Sequence, residues 1–233
     1  MKYYVSIIIA SLLLIGCNSK EPIPEKKIEI TFNYTLSQSG SMTRGDVYDT
    51  FYDLFIKSGQ LLPSNYSLRI TTLDGKEVAL ISGIWNNNQP VMLATGKYHV
   101  TGSSNGAGND FYRKAVLEFD EDIEITEAMT SVTLHAAYDC FLLLFDAAGK
   151  SYFSWSADGR SSDSQTWGDV PKVSDFYYIF AQGFKDTGNV RWNYDGKNNI
   201  IWMADFDFKK GFYYYFNDLS GKFEVPKMQP GTI

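Results

Sequence analysis

Two histidines, two cysteines and five tryptophans are where chemistry would first be sought in this chain of 233 residues. His99 and His135 both lie inside strand-like segments, and neither has a serine or an orienting acid of the right pattern nearby in sequence. Nucleophilic catalysis needs that constellation, and no nucleophile-elbow pattern is present. Zinc needs three or four ligands, for which two distant histidines and one cysteine in an apolar run are a poor set. Asp120, Glu121, Asp122 and Glu124 gather carboxylates. Without the glycine turn and spaced oxygens of a calcium loop, they read as a solvated strand edge whose charge discourages edge-to-edge pairing. Asp205 and Asp207 stand two apart, on one face of a strand with Phe206 and Phe208 on the other, which is the one arrangement resembling the carboxylate pair of a glycoside hydrolase. No cleft signature accompanies them. The expectation is a non-enzymatic protein with no metal and no cofactor.

The tryptophans admit a binding role. Trp85 is followed by Asn86, Asn87, Asn88 and Gln89, and Trp167 sits in a polar loop over 158–169. An exposed indole beside amides can stack on the C–H face of a sugar while the amides bond its hydroxyls, so Trp85, Asn86, Asn87 and Trp167 are candidate glycan contacts. The competing reading is that these rings fill a core, because aromatic residues make up 16% of the chain and most fall in strand-like segments. Arg44-Gly45-Asp46 spells an integrin-binding tripeptide, although Asp46 also has a ready role at a helix start.

The elements that would position these residues are mostly strands. Ile28, Ile30, Phe32 and Tyr34 alternate with polar neighbours, the period of a half-buried strand. Val47, Phe51, Leu54 and Phe55 then fall at helical spacing, with Thr43 or Asp46 as cap and Gly59 as stop, predicting one short α-helix near the N-terminus. Tyr66, Leu68 and Ile70 alternate into an Asp74-Gly75 turn and a returning strand at Val78, Leu80 and Ile81. Further strands are predicted over 91–93, 98–101, 115–119, 123–125 and 132–138. In the second half they are predicted over 141–145, 152–155, 177–181, 190–194, 200–204, 212–216 and 223–225. About a dozen short strands and one helix make a mainly β fold of sandwich type, divided into modules over 28–138 and 139–233. Cys140 begins the apolar run 140–145, where a buried inert thiol is expected.

Residues 1–16 read as an export signal. Lys2 supplies the positive start, and the apolar run over 5–15 falls well short of the roughly 20 residues that a spanning helix needs. Leu14-Ile15-Gly16-Cys17 closely resembles the lipobox of bacterial lipoproteins, which implies cleavage before Cys17 and a thioether-linked lipid on its sulfur. Multiple acyl chains, at about 0.8 kcal/mol per buried methylene, then make a durable tether. Residues 17–27, with Pro22 and Pro24, read as a flexible stalk. Asn18 in place of aspartate favours, by the same resemblance, the outer membrane, with its periplasmic and cell-surface faces both open. Taking Lys2 from the 21 basic side chains leaves 20 against 27 acidic ones, a balance of −7 that argues against nucleic acid as a partner. With Cys17 lipidated, Cys140 has no intrachain cysteine to pair with.

The lipobox, Thr43-Arg44, the strand over 66–71, the Gly96-x-Tyr98-x-Val100 strand within 93–102, the run 134–144 and the ending Tyr213-Tyr214-Tyr215-Phe216-Asn217-Asp218 together resemble Bacteroidetes surface lipoproteins of the fimbrillin-like and fimbrium-anchoring kind. The resemblance implies tandem transthyretin-like or Ig-like sandwiches, a role in adhesion or pilus anchoring, and pilin subunits as partners. It also makes Arg44 a candidate processing site, since fimbrial subunits are matured by a cut after arginine that frees a groove for a donor strand. A permanent anchor would instead keep its lipid at Cys17. A glycan-binding surface lipoprotein is the alternative function, and a glycoside hydrolase a more distant one.

Overall fold

The computed structural model describes residues 26–36, 51, 58–87, 89–104, 113–156, 168–216 and 228–232. The first half contributes β1 (Lys27–Leu36), β2 (Asn65–Thr72), β3 (Glu77–Ile84), β4 (Val91–Ala94), β5 (Gly96–Ser104), β6 (Leu117–Ile125) and β7 (Ser131–Tyr138). They form a seven-stranded sheet in the order β3-β2-β5-β6-β7-β1-β4. Alternation does what it should: Ile30 and Phe32 of β1, Tyr66, Leu68 and Ile70 of β2, and Val132, Leu134 and Ala136 of β7 are buried while their neighbours face outward. The ladder is irregular at two places. Strand β6 meets β7 only at Leu117↔Tyr138 and Glu118↔Ala137. Strand β1 changes partner midway, antiparallel to β4 through Ile30 and parallel to β7 from Thr31.

The second half makes two sheets. One orders β10 (Gly168–Asp169), β9 (Lys150–Ser156), β13 (Asn189–Tyr194) and β14 (Lys197–Trp202) as β10-β9-β13-β14. The other orders β11 (Lys172–Val173), β12 (Phe176–Ala181), β8 (Phe141–Asp146), β15 (Phe212–Phe216) and β16 (Met228–Thr232) as β11-β12-β8-β15-β16, with β15 parallel to β8. Pro230 lies in β16, at a sheet edge, where a residue without an N–H donor is tolerated.

This five-stranded sheet is apolar on both faces. Leu142, Leu144, Tyr178, Phe180 and Tyr213 join the core of the first half. The intervening Phe141, Leu143, Phe145, Ile179, Ala181, Tyr214 and Phe216 join a second core with Phe153, Trp155, Val190, Trp192 and Ile201 of the four-stranded sheet. That is why 141–145 reads as an unbroken apolar run rather than an alternating one. The turn between β7 and β8 is fastened on several sides. The Asp139 N–H donates to Val116 O at 2.9 Å and the Gly211 N–H to Cys140 O at 2.8 Å, while the Asp139 carboxylate accepts hydrogen bonds from Gln182 Nε2 and Lys210 Nζ.

Several expectations change. The segments predicted over 115–119 and 123–125 belong to one strand, β6, from which Glu118, Asp120, Asp122 and Glu124 alternate outward instead of interrupting it, with Glu121 half-buried on the other face. Asp205 and Asp207 do not share a strand face: Met203–Asp205 is a 3-10 turn that ends β14, and the chain over 206–208 is not extended into a ladder. In β14 it is Ile201, followed by Met203 in the turn, that turns inward, leaving Ile200 and Trp202 exposed. Strands β10, β11 and β16 are not among those predicted. Of the predicted helix only Phe51 is described, in helical conformation and buried with its ring 5.7 Å from that of Tyr178. The rest of that helix and the strand expected over 223–225 lie outside the described residues.

Candidate functional site

Two outward sheet faces carry the polar chemistry. Among the described residues β3 is the last strand of its sheet, and Val78, Leu80 and Ile84 project from it into solvent, Leu80 with 63% of its surface exposed. Inward along the same face Arg69 bridges Glu77 at 3.3 Å. Beyond it, His99 of β5 faces β6, its Nδ1 2.8 Å from Asp122 Oδ1 and its Nε2 3.3 Å from Asp120 Oδ1. His135 is met by Glu121 across the gap where β6 and β7 diverge. The backbone N–H of His135 donates to Glu121 Oε1 and its ring Nδ1 lies 3.0 Å from Oε2. Each histidine therefore has a carboxylate partner that linear spacing hid, because the partner arrives from the neighbouring strand. These contacts tie β5 to β6 and β6 to β7. Among the described residues no group of three or more His, Cys, Asp or Glu side chains is placed to hold a metal ion.

The second face lies on the outer side of the four-stranded sheet. A bulge in β9 opposite β13, between Arg191 and Asn193, throws Tyr152 outward with φ 54° and 84% of its surface exposed. Left-handed backbone is uncommon for a bulky residue and has to be held by its surroundings. Tyr152, Ser154, Arg191, Asn198, Asn199 and Ile200 line a groove of about 420 Å³ together with Trp192. Its floor is ordered: Arg191 Nε donates to Asn189 Oδ1 at 3.1 Å, and Asn193 Nδ2 donates to Asn198 Oδ1 at 3.2 Å. Trp202, two residues beyond Ile200 on the same face, is 44% exposed.

The residues singled out by sequence do not converge. Trp85 is a correction: only 9% of it is exposed, its ring lies 4.4 Å from Tyr66, 4.8 Å from Tyr34 and 5.5 Å from Phe119, and Nε1 donates to Ser104 Oγ at 2.9 Å. A ring so enclosed offers no face to a sugar. Asn86 and Asn87 follow it in a 3-10 turn and are exposed, but without the platform they were meant to flank. Cys17, Arg44 and Trp167 lie outside the described residues. Asp205 and Asp207 are exposed on their turn. Cys140 is fully buried, accepts the Val116 N–H at 3.3 Å, and its thiol is pushed up to about 12 by burial, so it stays protonated at ordinary pH. Tyr152 and Trp202 are the residues the sequence reading passed over. Alternation back from Phe153 and Trp155 points Tyr152 outward, whereas the apolar run Ile200-Ile201-Trp202 leaves the side of Trp202 open.

No family model matches the sequence, and no curated protein does. Among solved structures, the chain is similar to a fimbrial assembly protein from Parabacteroides distasonis, with a TM-score of 0.49 and 11% identity over 89% of this chain and 100% of that one. It is similar to a fimbrial protein from Bacteroides ovatus, with a TM-score of 0.48 and 12% identity over 86% of this chain and 50% of that one. The fimbrial anchor protein Mfa2 from Porphyromonas gingivalis is a further structural neighbour, with a TM-score of 0.34 and 6% identity over 82% and 90% of the two chains.

Proposed function

We propose that this chain is a non-enzymatic, membrane-tethered lipoprotein of the adhesin or fimbria-associated type, which holds protein partners by its strand edges. The observation that carries the reading is the margin of the first sheet, where β3 ends the ladder and Val78, Leu80 and Ile84 stand exposed. Proteins usually blunt such an edge with charge, proline or a cover. An edge left long and apolar suits addition of a strand from another chain, whose backbone supplies the hydrogen bonds and whose side chains meet the apolar row.

The lipid tether is part of the same reading and is supported by the sequence over 14–17. A division into tandem transthyretin-like modules at 138–139 is supported by the sheets, since β1–β7 pair among themselves and β8–β16 form the other two. Partners of pilin type follow from the sequence resemblance.

The test is co-purification of the full-length chain with polymerised pilin from its own cells, comparing the native protein with Leu80→Lys. Retention should fall at least about tenfold in the variant while its melting temperature holds, because Leu80 is exposed and a charge there obstructs only the edge. Equal retention of both proteins overturns the edge as the contact. Separately, Cys17→Ser should release the chain from sedimenting membranes, and continued sedimentation would remove the tether.

A further inference from the structure

We infer that the groove on the outer side of the four-stranded sheet is an oligosaccharide-binding site, with Tyr152 as its stacking platform and Asn198 and Ser154 as its hydrogen-bonding edge. It is independent of the strand-edge contact, lying on another sheet. Three observations combine. The Tyr152 ring is almost wholly exposed, in a backbone conformation that bulky residues rarely adopt. A strand at such a bulge could accommodate glycine far more easily, so the ring is placed at a conformational disadvantage where it has little to bury.

The ring also has suitable company. Asn198 Oδ1 accepts from Asn193, and among the described residues the Asn198 amide N–H groups meet no protein acceptor. The Ser154 hydroxyl shares the groove, and Arg191 is fixed in the floor by Asn189. Flat aromatic surface for sugar C–H groups, ringed by amide and hydroxyl groups for sugar hydroxyls, is the complement of a saccharide. Ser154, Arg191, Asn198 and Asn199 set polar groups among Tyr152, Trp192 and Ile200, so the groove offers both kinds of contact that a saccharide makes.

The layout finally sets a length. Register places Ile200 against Arg191, Arg191 against Ser154, and Trp202 against Asn189. From the level of Asn193, beside the Tyr152 bulge, to that of Asn189 is four residues, on the order of 13 Å along the strand. A ligand that reaches from Tyr152 to Trp202 therefore spans several sugar rings, and the site favours a chain over a monosaccharide.

The experiment is binding of the full-length protein to an array of neutral β-1,4-linked hexasaccharides, mannans, N-acetyllactosamine chains and uronic-acid-containing chains. Hits are then titrated against Tyr152→Gly, Tyr152→Phe and Asn198→Ala. At least one chain should bind, with affinity reduced about tenfold or more in Tyr152→Gly and largely kept in Tyr152→Phe. Tyr152→Gly relieves the backbone, so its melting temperature should be unchanged or higher, which separates lost binding from lost folding. Monosaccharides should compete far less well than the parent chain. Absence of binding across the array overturns the inference, as does a hit whose affinity is the same in Tyr152→Gly and Asn198→Ala.

Discussion

Across β3, β2, β5 and β6 the outward row runs from bare aliphatic side chains to carboxylates held against His99, whereas across β9, β13 and β14 it consists of aromatic rings, amides and one guanidinium. The first face has its strongest polar groups satisfied by one another and leaves its apolar margin open. The second orders its polar floor and leaves its aromatic rings open. One chain thus presents an edge shaped for backbone and a surface shaped for flat polar ligands. What lets both exist is that the sheet between the two halves is apolar on both sides, so the load of burial falls on the interior and neither outward face is needed for the core.

That dependence on a shared sheet can be broken most sharply at adjacent positions of β8. Phe145→Ala removes a fully buried ring stacked 5.0 Å from Phe216 in the second core. It should lower stability by about 3–5 kcal/mol. Leu144→Ala, one residue away, empties a place in the first core and should lower it by about 2–5 kcal/mol. Because both side chains hang from one strand, calorimetry should show a single transition moving down in each variant. Two transitions, each responding to only one substitution, would show that the halves unfold independently.

A smaller effect is expected from Gly102→Ala. A methyl group at Gly102 would strike the Ser67 carbonyl oxygen and come within 2.9 Å of Leu68 Cα, both on the neighbouring strand β2. Overpacking of this kind should destabilise by about 1–3 kcal/mol, read as a shifted urea midpoint with an unchanged slope. The shift should come with glycan binding on the second face intact. The smallest effect belongs to Asp122→Asn. Its contact with His99 is solvent-exposed, and such pairs contribute roughly 0–1 kcal/mol. Chemical denaturation should place the variant within about 0.5 kcal/mol of the native protein, and a larger loss would mean that the carboxylate row does structural work beyond that pair.

Much of the strand pattern could be read from the chain, because wherever one face is buried the period of two is imposed on the side chains. Strands β1, β2, β5, β7 and β13 were legible for that reason, as was the turn at Asp74-Gly75, where Gly75 takes positive φ. Strand β6 was split in the reading because its acidic residues look like an interruption until β5 is known to lie beside it. In β14 consecutive apolar residues, Ile200, Ile201 and Trp202, allow either register, and only the opposing core selects Ile201. The candidate site was less legible. Trp85 carried the right residue type and the wrong environment, since nothing local told that Tyr34, Tyr66 and Phe119 would close over it. Alternation from Phe153 points Tyr152 outward, but its left-handed backbone comes from a bulge, and a bulge is a property of two strands at once.

The parallel pairing of β1 with β7 has a mechanical consequence. The first strand runs beside β7 for six register pairs, from Thr31↔Ser131 to Leu36↔Ala136, and β7 leads directly through the fastened turn at Asp139 into the second half. A pull between the start of β1 and the second half therefore draws opposite ends of two parallel strands. Such a pull loads those hydrogen bonds together in shear, where a hairpin tugged at its open end would unzip one rung at a time. The fold is built to resist stretching between the start of β1 and the second half.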